Sequence, residues 1–406
     1  MRIALLADTY PPENRGGAGV VVERLARRFV ELGHAVLVVA TSRARATLRE
    51  QDGVRVQRVR SFYPERFRSV VAMRNQLVLG GVGRALTAFR PDIVHAHNVH
   101  QHLSFASLSA AQATGAPVAY TAHDFLLFCA IKFICTGGEV DFRQRWFNCA
   151  KCQRFRWNPA RNAAIRWQME ARVDHLFTIS RALQTALRAN GYGGAEVVYN
   201  GVDPAWWAQG DPQAFRRRHG LGDAPFALLA ARVSREKGAE AAVRALARTA
   251  SRHLRLVIAG DNPRYVPRLR ALARELTVEH RLLFPGWITP ETLRDAYAAA
   301  TVTLAVSTYP DPFNLTLIES MAAGTPVIAS AFGAGPEVVP DGEVGFVVNP
   351  HDTPALADRM DLVLASPARR DALRAAGLQR VRELFTLDRQ VELTLARYAA
   401  LRAPRG

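Results

Sequence analysis

Short apolar runs alternate with segments of helical period along the whole chain. In the first half the runs are "RIALLAD", "AVLVVAT", "DIVHAH", "PVAYTAHD", "HLFTIS" and "EVVYN", with an amphipathic helix expected from Val20 to Leu32. They lack the polar alternation of half-exposed strands, so they suit strands covered on both faces in parallel βαβ units. The pattern then restarts with "FALLAAR", "RLVIAGD", "RLLFPG", "TVTLAVS", "PVIAS" and "GFVVN", with helices expected near 236–251, 265–276, 291–299, 315–323 and 354–384. Between the two series lies "NGVDPAWWAQGDP", Asn200 to Pro212, which has neither period and marks the domain junction. At 406 residues the chain exceeds what one core serves. The expected fold class is therefore α/β: two Rossmann-like doubly wound parallel-sheet domains, 1–205 and 206–384, facing a central cleft.

Ligands of open parallel sheets bind at strand carboxyl ends, so the residues there carry the functional reading. "TVTLAVS" leads through "TYPDPFN" into the helix "LTLIESMAA". Pro312 makes a rigid corner, with Phe313 in it, and Asn314, Leu315, Thr316 and Leu317 open the helix with backbone N–H groups expected to be unpaired. Such a terminus favours phosphate. Asp311 just ahead of it suits sugar hydroxyls, and Glu319 one turn in suits a ribose diol. A nucleoside diphosphate sugar carries these groups in this order. The alternative is that both acids merely complement the helix dipole.

In the loop after "FALLAAR", Arg232, Arg235, Lys237 and Gly238 stand together, and Arg232 and Lys237 suit a diphosphate. "PPENRGGAGV" between the first strand and first helix holds Gly16, Gly17 and Gly19, which let backbone approach a ligand at a helix start. It is neither a P-loop nor G-x-G-x-x-G. His123 and Asp124 end a strand. The histidines of "VHAHNVHQH" are expected to divide between strand faces, with His95 packed inside and His97 turned to the cleft.

Taken together, these residues resemble the retaining nucleotide-sugar glycosyltransferases of family 4, the glycosyl transferases group 1, over essentially the whole chain. "PPENRGGAGVVVERLARRFVELGHAV", "DIVHAHN", "YTAHDF", "YNGVD", "ARVSREKG", "IAGDNP", "DPFNLTLIESMAAGTPVIAS" and "DGEVGFVV" come in family order. In the family the acid-x7-acid motif is usually two glutamates with a glycine after the phenylalanine; here Asp311 and Asn314 replace them. The resemblance implies a GT-B fold and a UDP- or GDP-sugar donor. It assigns the diphosphate to Arg232 and Lys237, the ribose to Glu319 and the transferred sugar to Asp311. It also implies closure of the 16–19 loop over the phosphates, with His123 beside the reacting sugar. The helix at 387–401, within a C-terminal segment 385–406, is expected to cross back to the first domain. Catalytic residues on this reading are His123, Asp311, Arg232 and Lys237; Phe313, Asn314, Leu315 and Thr316 complete the donor site. No D-x-D tripeptide occurs, so no catalytic divalent metal is expected.

All four cysteines, Cys129, Cys135, Cys149 and Cys152, fall in an insertion at 129–152. Their C-x5-C-x13-C-x2-C spacing fits a structural zinc, with reduced thiols and redox pairing as alternatives. The formal net charge is +17, of which +12 falls in residues 1–205. No acid occurs between Phe142 and Met169, where arginines interleave with Trp146, Trp157 and Trp167. That segment could bind nucleic acid by charge and stacking, an anionic acceptor, or an anionic membrane surface. Phosphate-site loops are redundant for a pure nucleic-acid binder, so nucleic acid is the lesser expectation. A sugar-nucleotide epimerase of the same fold is another alternative. No apolar run reaches the length of a spanning helix, and "MRIALLADTYPPE" turns polar too early for a secretory leader, so a cytoplasmic enzyme is expected, peripheral on the inner face of the membrane through "FYPERFRSVV". The acceptor is not identified by sequence.

Overall fold

The computed structural model describes residues 1–12, 16–63, 67–130, 146–153 and 159–403. They form two compact units. The first carries an eight-stranded sheet of β1 (Arg2–Ala7), β2 (Ala35–Ser42), β3 (Thr47–Gln51), β4 (Val54–Arg60), β5 (Ile93–His97), β6 (Val118–Ala122), β7 (His175–Thr178) and β8 (Glu196–Val197). Its order is β3-β4-β2-β1-β5-β6-β7-β8. Only β3 runs antiparallel to its neighbour. The second unit holds β9 (Phe226–Ala230), β10 (Arg255–Ala259), β11 (Leu282–Gly286), β12 (Val302–Ala305), β13 (Val327–Ser330) and β14 (Phe346–Val348), in the order β11-β10-β9-β12-β13-β14 and parallel throughout.

Apolar runs without alternation became central strands: every residue of β5, β6, β12 and β13 is buried. The β3–β4 hairpin was not anticipated. β3, "TLREQ", has no buried residue, its middle three exposed and its ends half-buried, so it carries no burial signal, whereas "VRVQRVR" of β4 does alternate. The helix expected over 354–384 is two helices, Thr353–Ala365 and Pro367–Leu384. Pro367 drives Ser366 into extended backbone (φ −123°, ψ 96°), and the Ser366 hydroxyl then caps the second helix by accepting from the Arg369 N–H.

The chain leaves the first unit at Asn200 and returns at Leu387, against expected boundaries after 205 and 384. The outgoing and returning segments run side by side within the second unit, where the Val202 N–H donates to the Phe385 carbonyl at 2.9 Å. Helix Leu387–Arg402 belongs to the first unit. Its anchor is Tyr398, fully buried, whose hydroxyl meets His95 Nδ1 at 2.6 Å and whose ring lies 6.0 Å from that of Phe29. Arg397 donates to Glu196 at 2.7 Å, and Arg28 to Asp388 at 2.8 Å.

Tyr398 therefore holds the final helix by packing more than by its hydroxyl. Tyr398→Ala is expected to cost about 3–5 kcal/mol, as for other buried aromatics, and Tyr398→Phe about 1 kcal/mol. Urea unfolding curves of the two variants check the ranking; equal losses would show that the ring contributes nothing beyond the hydrogen bond.

Candidate active site

The second unit places β9 beside β12, while β10, the next strand in the chain, lies on the other side of β9. That reversal of direction opens a crevice at the strand carboxyl ends. The loop after β9 carries Arg232, Arg235, Lys237 and Gly238, and the loop after β12 runs from Val306 to Asn314. The loops are tied together: the Thr308 N–H donates to the Glu236 carbonyl at 2.9 Å, and its hydroxyl to the Arg235 carbonyl at 3.3 Å. At Gly238 (φ 79°) a Cβ would lie 2.0 Å from the Val306 carbonyl oxygen, so only glycine lets the loops approach this closely.

This closeness brings Lys237 Nζ to 2.6 Å from Asp311 Oδ2. The Ser307 hydroxyl donates to the same carboxylate oxygen at 3.2 Å, and Nζ lies 5.2 Å from the centre of the Tyr309 ring. Burial alone would pull the Lys237 ammonium down, but the Asp311 carboxylate outweighs it and the pKa rises. Burial and Asp311 push the Tyr309 phenol up to about 12, against the opposing pull of Lys237 and Arg232. Arg232 thus acts on the same spot while its own side chain is exposed. Lys237 and Arg232, paired by sequence reasoning, do share a neighbourhood; the structure adds that Asp311 engages Lys237 directly.

Helix Leu315–Ala322 starts here. Asn314 caps it, its Oδ1 accepting from the Thr316 N–H at 3.1 Å, and the Thr316 hydroxyl donates to the carbonyl of Ala230 at the end of β9. The expectation of bare N–H groups over 314–317 needs correction. Asn314 takes those of Thr316 and, through its carbonyl, Leu317, because a capping side chain satisfies the donors that an anion would otherwise meet. The Leu315 N–H has no acceptor among the described residues. Phe313 is buried edge-on against Phe385, with ring centres 5.9 Å apart, so its ring anchors the corner. Glu319 is buried on the inner side of the helix, where the Tyr297 hydroxyl reaches its Oε2 at 3.5 Å.

The first unit has the same kind of crevice between β1 and β5. Sequence reasoning missed Asp8 at the end of β1. Its buried carboxylate accepts three backbone N–H groups, from Gln101 (2.6 Å), His102 (2.8 Å) and Leu103 (2.7 Å), and so shapes the loop leaving β5. An acid ending an apolar strand was the available signal. Gly16 precedes helix Gly17–Glu31, and neither Gly16, Gly17 nor Gly19 has a positive φ. Gly16 and Gly17 are exposed at the helix start, whereas a Cβ at Gly19 would sit 3.0 Å from the Thr9 carbonyl oxygen, so Gly19 serves helix packing.

His123 ends β6, with its Nε2 2.9 Å from His97 Nδ1. Burial pulls its pKa down to about 4, although Asp124 pulls it up. His95 and His97 do not divide between faces. Residues two apart on a strand share a face, and their rings lie 4.0 Å apart, both buried. Burial likewise lowers both pKa values, and neighbouring histidines add to it.

Cys149 and Cys152 lie on helix Trp146–Gln153 and Cys129 is buried; Cys135 lies outside the described residues. Among the described residues no three His, Cys, Asp or Glu side chains are grouped as a metal requires. Of the basic, aromatic segment, Arg161 is buried and donates to the Leu126 carbonyl, while Trp167 is exposed with the Arg172 guanidinium 4.8 Å above its ring. Arg143, Arg145, Arg154, Arg156 and Trp157 lie outside the described residues. No helix among the described residues is long and apolar enough to cross a membrane.

A cavity of about 680 Å³ in the second unit sits elsewhere, among Pro225, Thr301 and Pro326 at the amino ends of β9, β12 and β13. It shares no residue with the Lys237 and Asp311 site, and its Arg216 and Arg374 are spent on backbone carbonyls. Chemistry, not size, assigns the site.

Two Rossmann-like units, one with a cationic crevice at its strand switch point, define a nucleotide-sugar-dependent glycosyltransferase of GT-B type. Residues 15–206 match the Glycosyltransferase Family 4 profile and residues 192–380 the Glycosyl transferases group 1 profile. The chain belongs to that family. It is 26% identical to an uncharacterized glycosyltransferase of Methanocaldococcus jannaschii over 98% of both chains. It is 28% identical to a glycogen synthase of Mycobacterium tuberculosis over 100% of this chain and 96% of that one. Among solved structures it is similar to Anabaena HepE in complex with UDP and glucose, with a TM-score of 0.76, 19% identity, and coverage of 98% of this chain and 99% of that one.

The buried histidines fix a pH dependence of stability. His95, His97 and His123 titrate below their ordinary value near 6.5 when folded, so between the two values the unfolded chain binds more protons. Their contribution is fully present above about pH 6.5 and is lost progressively as pH falls from there through the lowered folded values. The thermal midpoint is expected to drop between about pH 7 and pH 5, and a midpoint unchanged over that span would contradict the neutral, buried state of these rings.

Proposed function

We propose that the protein is a retaining transferase that moves a sugar from a UDP-sugar to an acceptor presented at an anionic membrane surface. The observation that carries the donor side is the contact of Lys237 with Asp311 at the β9–β12 switch point. Departure of UDP builds negative charge on its diphosphate. Lys237 remains charged there, Arg232 lies in the same neighbourhood, and the Leu315 N–H is open to an acceptor. Preorganised donors of this kind are worth roughly 2.7–4 kcal/mol each in the transition state. Asp311 holds Lys237 until the donor arrives and then takes sugar hydroxyls. Glu319 receives the ribose diol.

Retention follows from attack on the face that the leaving group vacates, with the departing diphosphate as the base. Anabaena HepE, of the same fold, binds UDP and glucose, which makes UDP-glucose the first donor to test. For the acceptor side, Phe62, Val70 and Leu77 are exposed at 64%, 70% and 67%, close in sequence to the exposed Arg60 and Arg74. Apolar side chains flanked by arginines suit the interface of an anionic bilayer.

Lys237→Ala and Arg232→Ala are each expected to lower kcat/KM for a UDP-sugar on the order of 100-fold or more. Near-normal rates in both variants would remove the diphosphate assignment. UDP, and not an oligonucleotide, is expected to raise the thermal midpoint. Co-sedimentation with phosphatidylglycerol vesicles at low salt is expected to fall when Phe62 and Val70 are both changed to Ser; absence of co-sedimentation in the native protein counts against the membrane surface.

A further inference from the structure

β5 ends at His97, and the chain turns at Asn98 with φ 50°, a left-handed conformation that asparagine tolerates better than most residues. Both residues reach His123. The Asn98 Oδ1 accepts the His123 backbone N–H at 3.0 Å, and His97 Nδ1 meets the His123 side chain at Nε2, 2.9 Å away. The two rings are stacked, with centres 5.2 Å apart at 30°. Behind them, His95 is locked through both nitrogens, Nδ1 to the Tyr398 hydroxyl (2.6 Å) and Nε2 to the Thr121 hydroxyl (2.7 Å), so it has none left for His97. His97 Nε2 is buried with no partner among the described residues. His123 Nδ1 has no partner among the described residues either, and it is not sealed inside as His97 Nε2 is.

We infer that His97 and Asn98 are positioning residues, which hold His123 so that its Nδ1, carrying the hydrogen, is the ring nitrogen offered to substrate. The reasoning is a matter of proton placement. Two neutral imidazoles share one hydrogen bond, so one donates and the other accepts. If His123 donated from Nε2, the single hydrogen of His97 would lie on Nε2, leaving an N–H buried without an acceptor. An orphaned buried N–H is rarer than an under-satisfied acceptor. The bond therefore runs from His97 Nδ1–H to the His123 Nε2 lone pair. His123 keeps its own hydrogen on Nδ1, the open nitrogen. It can donate to a sugar oxygen but has no lone pair there with which to take a proton.

This inference rests on the proposed place of His123 beside the transferred sugar, and the tests separate the two. Nitrogen-15 spectra of histidine-labelled native enzyme report the tautomer directly. The Nδ1–H form of His123, identified by the signal lost in His123→Ala, is expected, and an Nε2–H form overturns the inference without any need for a folded variant. His97→Asn keeps a donor close to the Nδ1 position and is expected to stay within about threefold of native kcat, whereas His97→Leu loses on the order of tenfold to 100-fold and shifts the tautomer signal. Asn98→Asp keeps both acceptor and left-handed turn, while Asn98→Gly keeps only the turn; a larger loss in the glycine variant supports the clamp, and equal rates in the two remove Asn98 from it. If the native tautomer is Nδ1–H but His123→Ala turns over normally, the substrate contact is wrong while the clamp stands.

Discussion

A protonated amine and a carboxylate 2.6 Å apart, largely out of water, organise the crevice between the β9 and β12 loops. Neither charge is tolerated alone at such a depth. Removing one partner of a fully buried pair costs about 3–5 kcal/mol, and the discount here is modest because the Lys237 and Asp311 side chains remain 21% and 12% exposed. The pair requires two loops from strands that are neighbours in the sheet but distant in the chain. It also requires a position where those loops touch without a Cβ, which is Gly238. The same attraction that stabilises the pair keeps Lys237 cationic, so the cost of burying a charge is offset by its fixed partner.

The first unit solves a related problem with neutral groups. Its crevice contains buried imidazoles where the second unit has ions, and burial keeps them uncharged. An uncharged ring is directional: what it can do depends on which nitrogen carries the hydrogen, and that is decided by its neighbours. Asp8 shapes the loop leaving β5, Asn98 fixes the backbone of His123, and His97 engages its side chain. Orientation in this unit is carried by hydrogen bonds to main chain and ring, and salt has little hold on it.

Much of this was legible in the residue order. Unalternated apolar runs revealed the parallel strands, since a strand covered on both faces has no polar side to show. The acid, corner and helix of 311–319 and the cations of 232–237 stood out because they fall in loops at the carboxyl ends of expected strands, where ligands of parallel sheets bind. The exposed strand β3 carried no burial pattern at all. Ser366 and Pro367 interrupt a helical period that continues on either side, and the break was legible but outweighed by the periodicity. Strand parity was misapplied at His95 and His97; the correct rule, that side chains two apart share a face, puts them together.

By itself the sequence determined the class of fold, the two-unit organisation and the family, because periodicity and local composition are properties of neighbours in the chain. Tertiary structure alone decided that Asp311 pairs with Lys237, that Asn314 uses up helix N–H groups expected to await a phosphate, that Phe313 and Gly19 serve packing, and that His123 is gripped from β5. These are contacts between residues separated by up to 74 positions or competitions for a single hydrogen bond. No reading of local pattern can settle them, since each depends on distances that exist only once the strands have been laid side by side.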